Sequence, residues 1–436
     1  MSNTQKLANT VTIVPFSLAF AQKLLTIYGS PLYVYQGEKL QQTINRISRA
    51  IPYPRTQFHF ASVTNGNVAL LQQFQRRGWG LHANTPGDIY LGLQAGFVPD
   101  QIVYTGSNLS RDEMTQVLNW GVTTLNLDSL AQLQLLSEIY QELQSSVAGL
   151  QRVIKLGLRL NLPEVVGDSR IGVQPQEFPA AVAIAAAAGL KLSGLHFYRG
   201  TGTNATQAFT EVMDAVIATG KQLPDWKYLD FGGGFGYPYR TGGAAFDWER
   251  FGSELTQRLN GIGGDIDLII EPGRAAIAAS GILLTRVISV KWQGNQQIVG
   301  TDTSIANLAV LSVHGGYRNI VSWPESGKIE HEKLSQCSFP LSKEKQLEHH
   351  AECELYPTDV CGNTTYSRDY LGKNCQLPAL GIGEILAILD VGAYGYAMSS
   401  HFLHRPRPAE VLLENGSHRL IRQREDYSVL LNNQVF

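Results

Sequence analysis

Short apolar runs alternate with amphipathic or alanine-rich stretches from about residue 31 to about residue 280. Apolar runs of this length, bounded by glycine, proline or polar residues, predict strands. Stretches such as Val68–Arg77, Leu130–Leu150 and Pro179–Gly189 predict helices between them. A first strand is predicted at Pro31–Tyr35. The later predicted strands are Phe58–Val63, Gly80–His82, Gln101–Tyr104, Thr124–Leu127, Val153–Leu160, Gly194–Phe197, Tyr228–Phe231 and Asp267–Ile270.

The alternation of these later strands with helices indicates an α/β fold of the (β/α)₈ barrel type. A doubly wound open sheet is the alternative that the same alternation allows. In both folds, ligands bind beyond the carboxyl ends of the parallel strands, so candidate functional residues are sought there.

The pattern changes after residue 280, where β-type runs dominate and helical periodicity is scarce. The apolar runs in this part are Ile282–Trp292, Gln297–Gly300, Ile385–Leu389 and Glu410–Leu413. They predict a separate β domain. We therefore predict a barrel domain over residues 36–280 and a β domain made of residues 1–35 and 281–436.

A polar segment with poor periodicity, Glu325–Glu354, interrupts the predicted β domain. We interpret residues 325–357 as a surface insertion. His349, His350 and Cys353 offer metal-ligating atoms, but the usual Cys₂His₂ spacing is absent. A solvated loop is the favoured interpretation, and the sequence predicts no metal site.

Composition limits the class of protein and its partners. The 436 residues carry 35 Lys and Arg against 37 Asp and Glu, a net charge of -2, so neither nucleic acid nor an anionic membrane is predicted as a partner. No apolar run approaches the roughly 20 residues that span a bilayer. The amino terminus lacks the basic-then-apolar order of a signal peptide. Four cysteines are too few for a disulfide framework, and a reducing, cytoplasmic location is predicted.

Glycine is dense directly after the predicted strand Tyr228–Phe231, at Gly232, Gly233, Gly234 and Gly236. Such a loop brings the backbone close to a ligand, and its successive N–H groups suit an anion such as phosphate. The spacing matches neither the dinucleotide-binding fingerprint nor the phosphate loop that ends in Gly-Lys-Ser/Thr. Taken alone, the loop is equally typical of a plain tight turn.

Other polar residues follow the strand ends in the same way. Arg159, the stretch from His196 to Thr201, and Glu271-Pro-Gly-Arg274 all lie at predicted carboxyl ends. A glycine loop, a threonine hydroxyl and an arginine together make a phosphate cradle. Each residue also has a structural interpretation: Arg159 in a surface ion pair, Glu271 as a cap, and Tyr394 of the β domain in packing.

The order of these motifs resembles that of the fold-type III, pyridoxal-phosphate-dependent amino-acid decarboxylases. The similarity is closest to the diaminopimelate decarboxylase branch and more distant to ornithine decarboxylase. It covers roughly residues 30–425. The matching motifs are Pro31-Leu-Tyr-Val-Tyr, Ala95-Gly-Phe, Asp230-Phe-Gly-Gly-Gly-Phe-Gly, Glu271-Pro-Gly-Arg, Asp390-Val-Gly-Ala-Tyr-Gly and Arg405-Pro-Arg-Pro-Ala-Glu.

This resemblance implies an alanine-racemase-like (β/α)₈ barrel with a C-terminal β domain. It also implies a head-to-tail homodimer with active sites at the interface, and α-decarboxylation of a small amino-acid-like substrate. The matching positions imply that Glu271 pairs with the pyridine nitrogen, that Arg159 is an active-site arginine, and that Cys361 is delivered from the neighbouring subunit. The implied phosphate-binding residues are Thr201, Gly233, Gly234, Arg274 and Tyr394.

Several family positions are occupied by unexpected residues. The lysine of the family motif Lys-x-Asn-x-Asn, which forms the Schiff base, aligns with Val63 of Val63-Thr-Asn-Gly-Asn67. The ring-stacking histidine aligns with Tyr198, and the acidic residue near the lysine aligns with His82. The acidic neighbour of Cys361 is Gly362, and the arginine for a distal substrate carboxylate falls near Val310.

No other lysine is predicted to replace the missing one. Lys155 shares the strand parity of Arg159 but precedes it by four residues, which places it ~13 Å below the barrel rim at ~3.3 Å per residue. His82, Tyr198 and Cys361 are then the candidate catalytic groups, and Val63 lines the cofactor site.

Three hypotheses follow. In the first, pyridoxal phosphate or a related phosphorylated ligand is bound without a covalent bond, and the ancestral activity is lost or rerouted. In the second, the cofactor is lost and the chain is a non-catalytic regulatory or binding partner. In the third, it is an active pyridoxal-phosphate-dependent decarboxylase.

Overall fold

A computed structural model describes residues 14–146, 153–200, 202, 204–263, 265–323 and 354–436. The strands of these residues are β1 Leu32–Gln36, β2 Thr56–Ala61, β3 Gly80–Ala83, β4 Ile102–Tyr104, β5 Thr124–Leu127, β6 Lys155–Arg159, β7 Leu192–His196, β8 Tyr228–Asp230, β9 Asp267–Ile270, β10 Gly281–Gln293, β11 Gln296–Thr301, β12 Ile320–Trp323, β13 Tyr356–Cys361, β14 Tyr370–Leu377, β15 Ile385–Ile388, β16 Ala409–Glu414 and β17 Ser417–Arg422.

Strands β2 to β9 form a closed barrel in which every neighbouring pair is parallel. The barrel prediction is therefore confirmed, and the open-sheet alternative is wrong. These strands are short and almost wholly buried, as expected for a parallel sheet covered on both faces. One predicted boundary differs at the site: β2 ends at Ala61, because Ser62–Thr64 form a 3₁₀ turn rather than the end of a strand through Val63.

The barrel helices cover the strands with their apolar faces. In the amphipathic helix at Gly37–Ala50, Leu40, Ile44 and Ile47 recur at helical spacing and are buried. Helix starts carry the expected caps, as where Thr85 and Asp88 form a capping box. The helices are α1 Leu18–Tyr28, α2 Gly37–Ala50, α3 Val68–Gln75, α4 Pro86–Gln94, α5 Arg111–Asn119, α6 Leu130–Ser146, α7 Pro163–Val166, α8 Phe178–Ala187, α9 Thr206–Thr210, α10 Met213–Gly220, α11 Trp248–Gly261, α12 Arg274–Ile277 and α13 Val310–His314.

The remaining strands form a separate mixed sheet in the order β14-β13-β11-β10-β1-β16-β17, with β15 paired to β10 and β12. Strand β1 joins this sheet between β10 and β16, antiparallel to the first and parallel to the second. The predicted β domain is thus present, and the N-terminal strand belongs to its sheet. The domain limits at residues 35/36 and 280/281 stay a prediction.

Some predicted features cannot be compared with the structure. The interpretation of residues 325–357 as a surface insertion falls largely on residues 324–353, which lie outside the described residues, as do His349, His350 and Cys353. Among the helices that are described, none combines the length and the apolarity that a membrane span requires.

Candidate functional site

A cavity of about 170 Å³ opens at the carboxyl ends of the barrel strands. This is the end at which (β/α)₈ barrels carry their chemistry. A larger cavity of about 560 Å³ lies at the other end, where Lys155 begins β6, so we assign the site to the smaller one. The residues that line the rim cavity are Ala61, Val63, Thr64, His82, Asn84, Arg159, His196, Tyr198, Gly202, Gly233, Gly234, Phe235, Glu271, Gly273, Arg274 and Tyr394.

The glycine loop after β8 forms one wall of the cavity. Gly232 and Gly234 have φ values of 66° and 92°, which side chains rarely adopt. A Cβ on Gly234 would lie 2.1 Å from the Gly200 carbonyl oxygen, and one on Gly232 would lie 2.2 Å from that of Phe197. The loop is therefore glycine-rich because two backbone segments approach each other closely beside the cavity.

Arg274 and Tyr394 meet beside this loop, although one comes from the barrel and the other from the β domain. The Arg274 guanidinium lies 4.8 Å from the centre of the Tyr394 ring and donates to the Tyr239 hydroxyl at 3.1 Å. Within the described residues, Arg274 forms no ion pair with a carboxylate. Aromatic rings beside a cation that has no carboxylate partner form an environment suited to an anion from outside the chain.

Two carboxyl groups are buried close together: Glu271 lines the cavity, and Asp230 lies next to it without lining the cavity. Asp230 accepts from Asn126 Nδ2 at 2.9 Å and from the Gly232 N–H at 3.0 Å. Glu271 is 2% exposed, and its Oε1 has no hydrogen-bond partner among the described residues. Burial raises the pKa of Asp230 well above its ordinary value, and burial raises that of Glu271 to about 7. The pair therefore retains a proton near neutral pH.

Two imidazoles face Glu271. His196 Nε2 lies 3.4 Å and His82 Nε2 lies 3.6 Å from Glu271 Oε2. Burial lowers the pKa of His196 to about 4, and burial holds the pKa of His82 well below its usual range. Both rings are therefore neutral near pH 7, and these contacts are not ion pairs between full charges.

Arg159 and Tyr198 stand together at the rim. The Arg159 guanidinium lies 5.1 Å from the centre of the Tyr198 ring. Burial lowers the pKa of Arg159, while the charge of Glu271 acts in the opposite sense. Because guanidinium groups titrate far above neutrality, Arg159 keeps its charge and balances the carboxyl pair below it.

Val63 lies at the rim in the turn Ser62–Thr64, with 44% of its surface exposed. The Asn65 side chain ties this turn to the β domain, since its amide nitrogen donates to the Tyr35 hydroxyl and the Gly392 carbonyl, each at 3.1 Å. The Tyr394 N–H donates to the Thr64 carbonyl at 2.8 Å. The asparagine of this motif therefore has a structural role in the turn, and that role does not involve a lysine.

Glu410 supports the same turn from the β domain. This carboxylate is fully buried and accepts from the Tyr35 hydroxyl at 2.7 Å, from Asn67 Nδ2 at 2.8 Å and from Arg422. Asn67 in turn caps α3 through the Ala69 N–H. One buried carboxylate therefore connects β1, β16 and the turn that carries Val63.

Replacing Glu410 with alanine should lower the free energy of unfolding by about 3–5 kcal/mol, because the buried donors of Tyr35 and Asn67 and the exposed guanidinium of Arg422 lose their acceptor. Glu414→Ala is the matched control on the same strand: its side chain is 21% exposed and its ion-pair partner Arg419 is 43% exposed, so a smaller loss is expected, about 1–2 kcal/mol, which comes mainly from the buried Gln73 amide that loses an acceptor. Urea denaturation of both variants measures the difference. Equal losses would contradict the structural role of Glu410.

The structure brings most of the predicted site residues into one cavity. Thr201 lies outside the described residues, so nothing is added to its predicted phosphate contact. Cys361 ends β13 and does not line the cavity; its predicted role needs a second subunit and stays a prediction. The residues brought together are Val63, His82, Arg159, Tyr198, Gly233, Gly234, Glu271, Arg274 and Tyr394.

Other residues of the site were not predicted as ligands or catalytic groups. His196 and Asp230 are the last residues of β7 and β8, and Asn126 supports Asp230 from β5. A sequence signal could have identified His196 and Asp230. Each is a polar residue at the end of an apolar run, in a position whose side chain faces the barrel interior by the alternation of a strand. Tyr239, which contacts Arg274, follows the glycine loop and carried no comparable signal.

The chain is similar to known proteins over nearly its whole length. The sequence model described as "pyridoxal-dependent decarboxylase, pyridoxal binding domain" matches residues 38–278. The diaminopimelate decarboxylase of Methanothermobacter thermautotrophicus is 32% identical over 431 residues, covering 95% of this chain and 94% of that protein. The diaminopimelate decarboxylase of Aquifex aeolicus is 28% identical over 428 residues, covering 94% and 93%.

A solved structure shows the same architecture. Diaminopimelate decarboxylase from Helicobacter pylori, complexed with L-lysine, superposes with a TM-score of 0.80 at 25% sequence identity. The match covers 94% of this chain and 98% of that one. The barrel and the mixed sheet are therefore features that this chain shares with a solved decarboxylase.

Proposed function

Because this chain belongs to the pyridoxal-dependent decarboxylases, we propose that it binds pyridoxal phosphate in the rim cavity without a covalent bond to the protein. The family reaction, α-decarboxylation of an amino acid, is then lost or follows a route that uses no lysine. The observation that carries this proposal is that one cavity is lined by Arg274, Gly233, Gly234 and Tyr394, which suit a phosphate, and by Val63 but by no lysine.

The cradle fits the phosphate group. Arg274 lacks a carboxylate partner among the described residues, and Tyr394 presents its ring and hydroxyl beside it. Gly233 and Gly234 have no side chains, so their backbone groups are accessible at the cavity wall. An arginine and exposed backbone N–H groups are the usual ligands of a phosphate in a protein.

The base of the cavity fits the pyridine ring. Glu271 Oε1 is buried and has no hydrogen-bond partner in the described part of the chain, which costs free energy unless a ligand donates to it. A protonated ring nitrogen is such a donor. Glu271 would therefore hold the ring, while Arg274 and the glycine loop hold the phosphate.

The cavity does not fit a covalent attachment. The lining residues include no lysine, and the Val63 side chain has no nitrogen with which to bond an aldehyde. Lys155, the lysine with the right parity, lines the cavity at the opposite end of the barrel. We propose that Val63 occupies the position of the family's lysine and that no described lysine replaces it.

When bound, pyridoxal phosphate supplies an electron sink that stabilises a carbanion on an amino acid. The residues of this chain would bind and orient the reactants. Arg159 can hold a carboxylate at the rim, since its charge faces the cavity. His82, neutral and buried, can hold or accept a proton at Nε2, and Tyr198 is the second candidate for this role.

Absorption spectroscopy with borohydride reduction tests the proposal on the full chain mixed with pyridoxal phosphate. We expect saturable binding, an absorption band in the near ultraviolet, removal by dialysis, and no cofactor on the chain after reduction. A stoichiometric adduct on one side-chain nitrogen would overturn the proposal and favour an active family decarboxylase. Absence of saturable binding would overturn it in favour of a non-catalytic regulatory partner.

We also propose a homodimer in which Cys361 approaches the partner's cavity, and a cytoplasmic location. The dimer is supported by the position of Cys361 at the end of a strand in the β domain, away from the cavity of its own chain. Sedimentation equilibrium should give twice the mass of the chain. A monomer at micromolar concentration would leave Cys361 without a role in the site.

A further inference from the structure

A third cavity, of about 380 Å³, lies between strand β14 and the segment that follows α13. The described residues that line it include four basic ones, Arg240, Arg318, Arg368 and Lys373, and no Asp or Glu. It shares no lining residue with the rim cavity. A chain whose net charge is -2 therefore gathers four cations around one small cavity.

These four cations are not neutralised by the chain itself. None of them forms an ion pair with a carboxylate in the part of the chain that the structure describes. Aromatic rings hold two of the exposed ones: the Arg240 guanidinium lies 4.3 Å from the centre of the Tyr317 ring. Lys373 Nζ lies 3.8 Å from the centre of the Tyr370 ring. Such contacts fix a cation in place and leave its full charge available to an anion.

Arg318 is the buried member of the group, with 3% of its surface exposed. Its guanidinium lies 3.6 Å from the centre of the Tyr239 ring, and its Nη1 donates to the Tyr317 carbonyl at 2.7 Å. Its Nε and Nη2 have no hydrogen-bond partner among the described residues. The charge of Asp390 acts on Arg318, but the Asp390 carboxylate accepts from the Tyr237 hydroxyl at 2.9 Å instead of forming an ion pair with Arg318. Buried donors without acceptors cost free energy, so Arg318 indicates a ligand that accepts from it.

We propose that this cavity binds a small-molecule polyanion, with at least two phosphate or carboxylate groups, as a second ligand that is distinct from pyridoxal phosphate. Arg318 binds one anionic group at the buried wall, and the three exposed cations bind the rest of the molecule. Arginine recognises phosphate and carboxylate groups through paired N–H donors. The volume of the cavity lies in the range of small-molecule sites.

The contacts behind Arg318 give a further reason for an anion. Tyr239 separates Arg318 from Arg274, because its ring packs on Arg318 and its hydroxyl accepts from Arg274 at 3.1 Å. Burial lowers the pKa of Arg318, and the positive charge of Arg274 acts in the same direction. A polyanion beside Arg318 reduces both the cost of burial and this repulsion, so it should raise the thermal midpoint of the chain.

Isothermal titration calorimetry of the full chain with inorganic pyrophosphate and, separately, with citrate tests the inference. The Arg274→Gln variant is titrated beside the unaltered chain, so that an anion bound in the phosphate cradle of the rim cavity is not counted. In this variant we expect one site per chain, with an affinity that falls as salt is added. Tighter binding of pyrophosphate would identify a phosphorylated ligand, and tighter binding of citrate a polycarboxylate.

Variants of the lining residues locate the site. Arg318→Gln should weaken binding of the tighter anion by about 100-fold, because it removes a buried charged contact. Arg240→Gln combined with Lys373→Gln alters only exposed side chains, so the fold should be kept, and the loss should be about 10-fold. Lys291→Gln is the matched control: Lys291 is exposed on β10 and does not line the cavity, so affinity should change by less than about twofold. Circular dichroism verifies that each variant is folded.

Three results would overturn the inference. The first is the absence of saturable binding of both anions by the unaltered chain. The second is binding that Arg274→Gln alone abolishes, which would place the anion in the rim cavity and leave the proposed phosphate cradle intact. The third is an equal loss in Lys291→Gln and in the double variant, which would show that binding follows net charge and not the cavity.

Discussion

Val63→Lys should convert a reversible complex of pyridoxal phosphate into a covalent one. Val63 lines the cavity from the turn Ser62–Thr64 and is 44% exposed, so a lysine there would extend into the space that the phosphate cradle and Glu271 enclose. We expect a new absorption band in the visible, resistance to dialysis, and close to one cofactor per chain after borohydride reduction, against none in the unaltered chain. Mass spectrometry of the digested protein locates the attachment.

Val98→Lys is the matched control for this change. Val98 is 55% exposed and precedes β4, at the end of the barrel away from the rim cavity. It should leave the spectrum unchanged, which separates attachment in the site from reaction of any exposed amine. If Val63→Lys binds the cofactor but forms no covalent bond, then a lysine at position 63 is not sufficient beside Tyr198 and His82, and the Tyr198→His change should be added to test whether the bond then forms.

Arg274→Gln should weaken the binding of pyridoxal phosphate by about 100-fold, because removal of one partner from a partly buried charged contact costs about 2–5 kcal/mol. Arg274 is the cation that stands beside the glycine loop and Tyr394 without a carboxylate of its own in the described residues. Pyridoxal has no phosphate for Arg274 to contact. Its affinity should therefore be weaker than that of pyridoxal phosphate, and it should be the same for the unaltered chain and for Arg274→Gln. Fluorescence or absorption titration measures all four constants.

Arg170→Gln provides the control for a change of charge alone. Arg170 is exposed and does not line the cavity, so the affinity for pyridoxal phosphate should fall by less than about twofold. A loss of similar size for pyridoxal and for its phosphate in Arg274→Gln would show that the arginine supports the fold of the loop. It would then not be the phosphate ligand.

The barrel could be predicted from sequence because its strands are buried on both faces. A strand such as Asp267–Ile270 is almost wholly apolar, and this property depends on its own residues and not on its neighbours. The end of β2 was predicted two residues too late. Val63 has strand propensity, but the bonds from Asn65 to Ser62 and from Thr64 to Ala61 close a turn around it.

The glycine loop, Arg274 and Glu271 could be identified from sequence because each is part of a contiguous motif. The residues around Val63 were placed by resemblance, through the asparagines that follow it. The structure explains why these asparagines are retained: Asn65 and Asn67 bond to β1, to Gly392 and to Glu410, so they are needed for the turn itself. These asparagines therefore have a structural role that does not require a lysine at position 63.

The convergence of His196, Asp230 and Glu271 could not be predicted in this way. These residues are dozens of positions apart in the chain, and His82 is farther still. Only the closure of the barrel makes β7, β8 and β9 neighbours with a shared register, as in the pairing of His196 with Asp230. Their unpartnered atoms also become visible only when every neighbour is in place.

By itself the sequence determined the α/β class, the order of the strands along the chain and the glycine-rich loop after β8, because local patterns of apolar residues and glycine encode these features. It also places a valine, Val63, shortly after β2, at the position where the resemblance implies the family's lysine. The tertiary structure alone decided which polar side chains share one cavity and which of their atoms are left without partners. Those properties depend on distances between strands that become neighbours only when the barrel closes. No local segment of the sequence determines these distances.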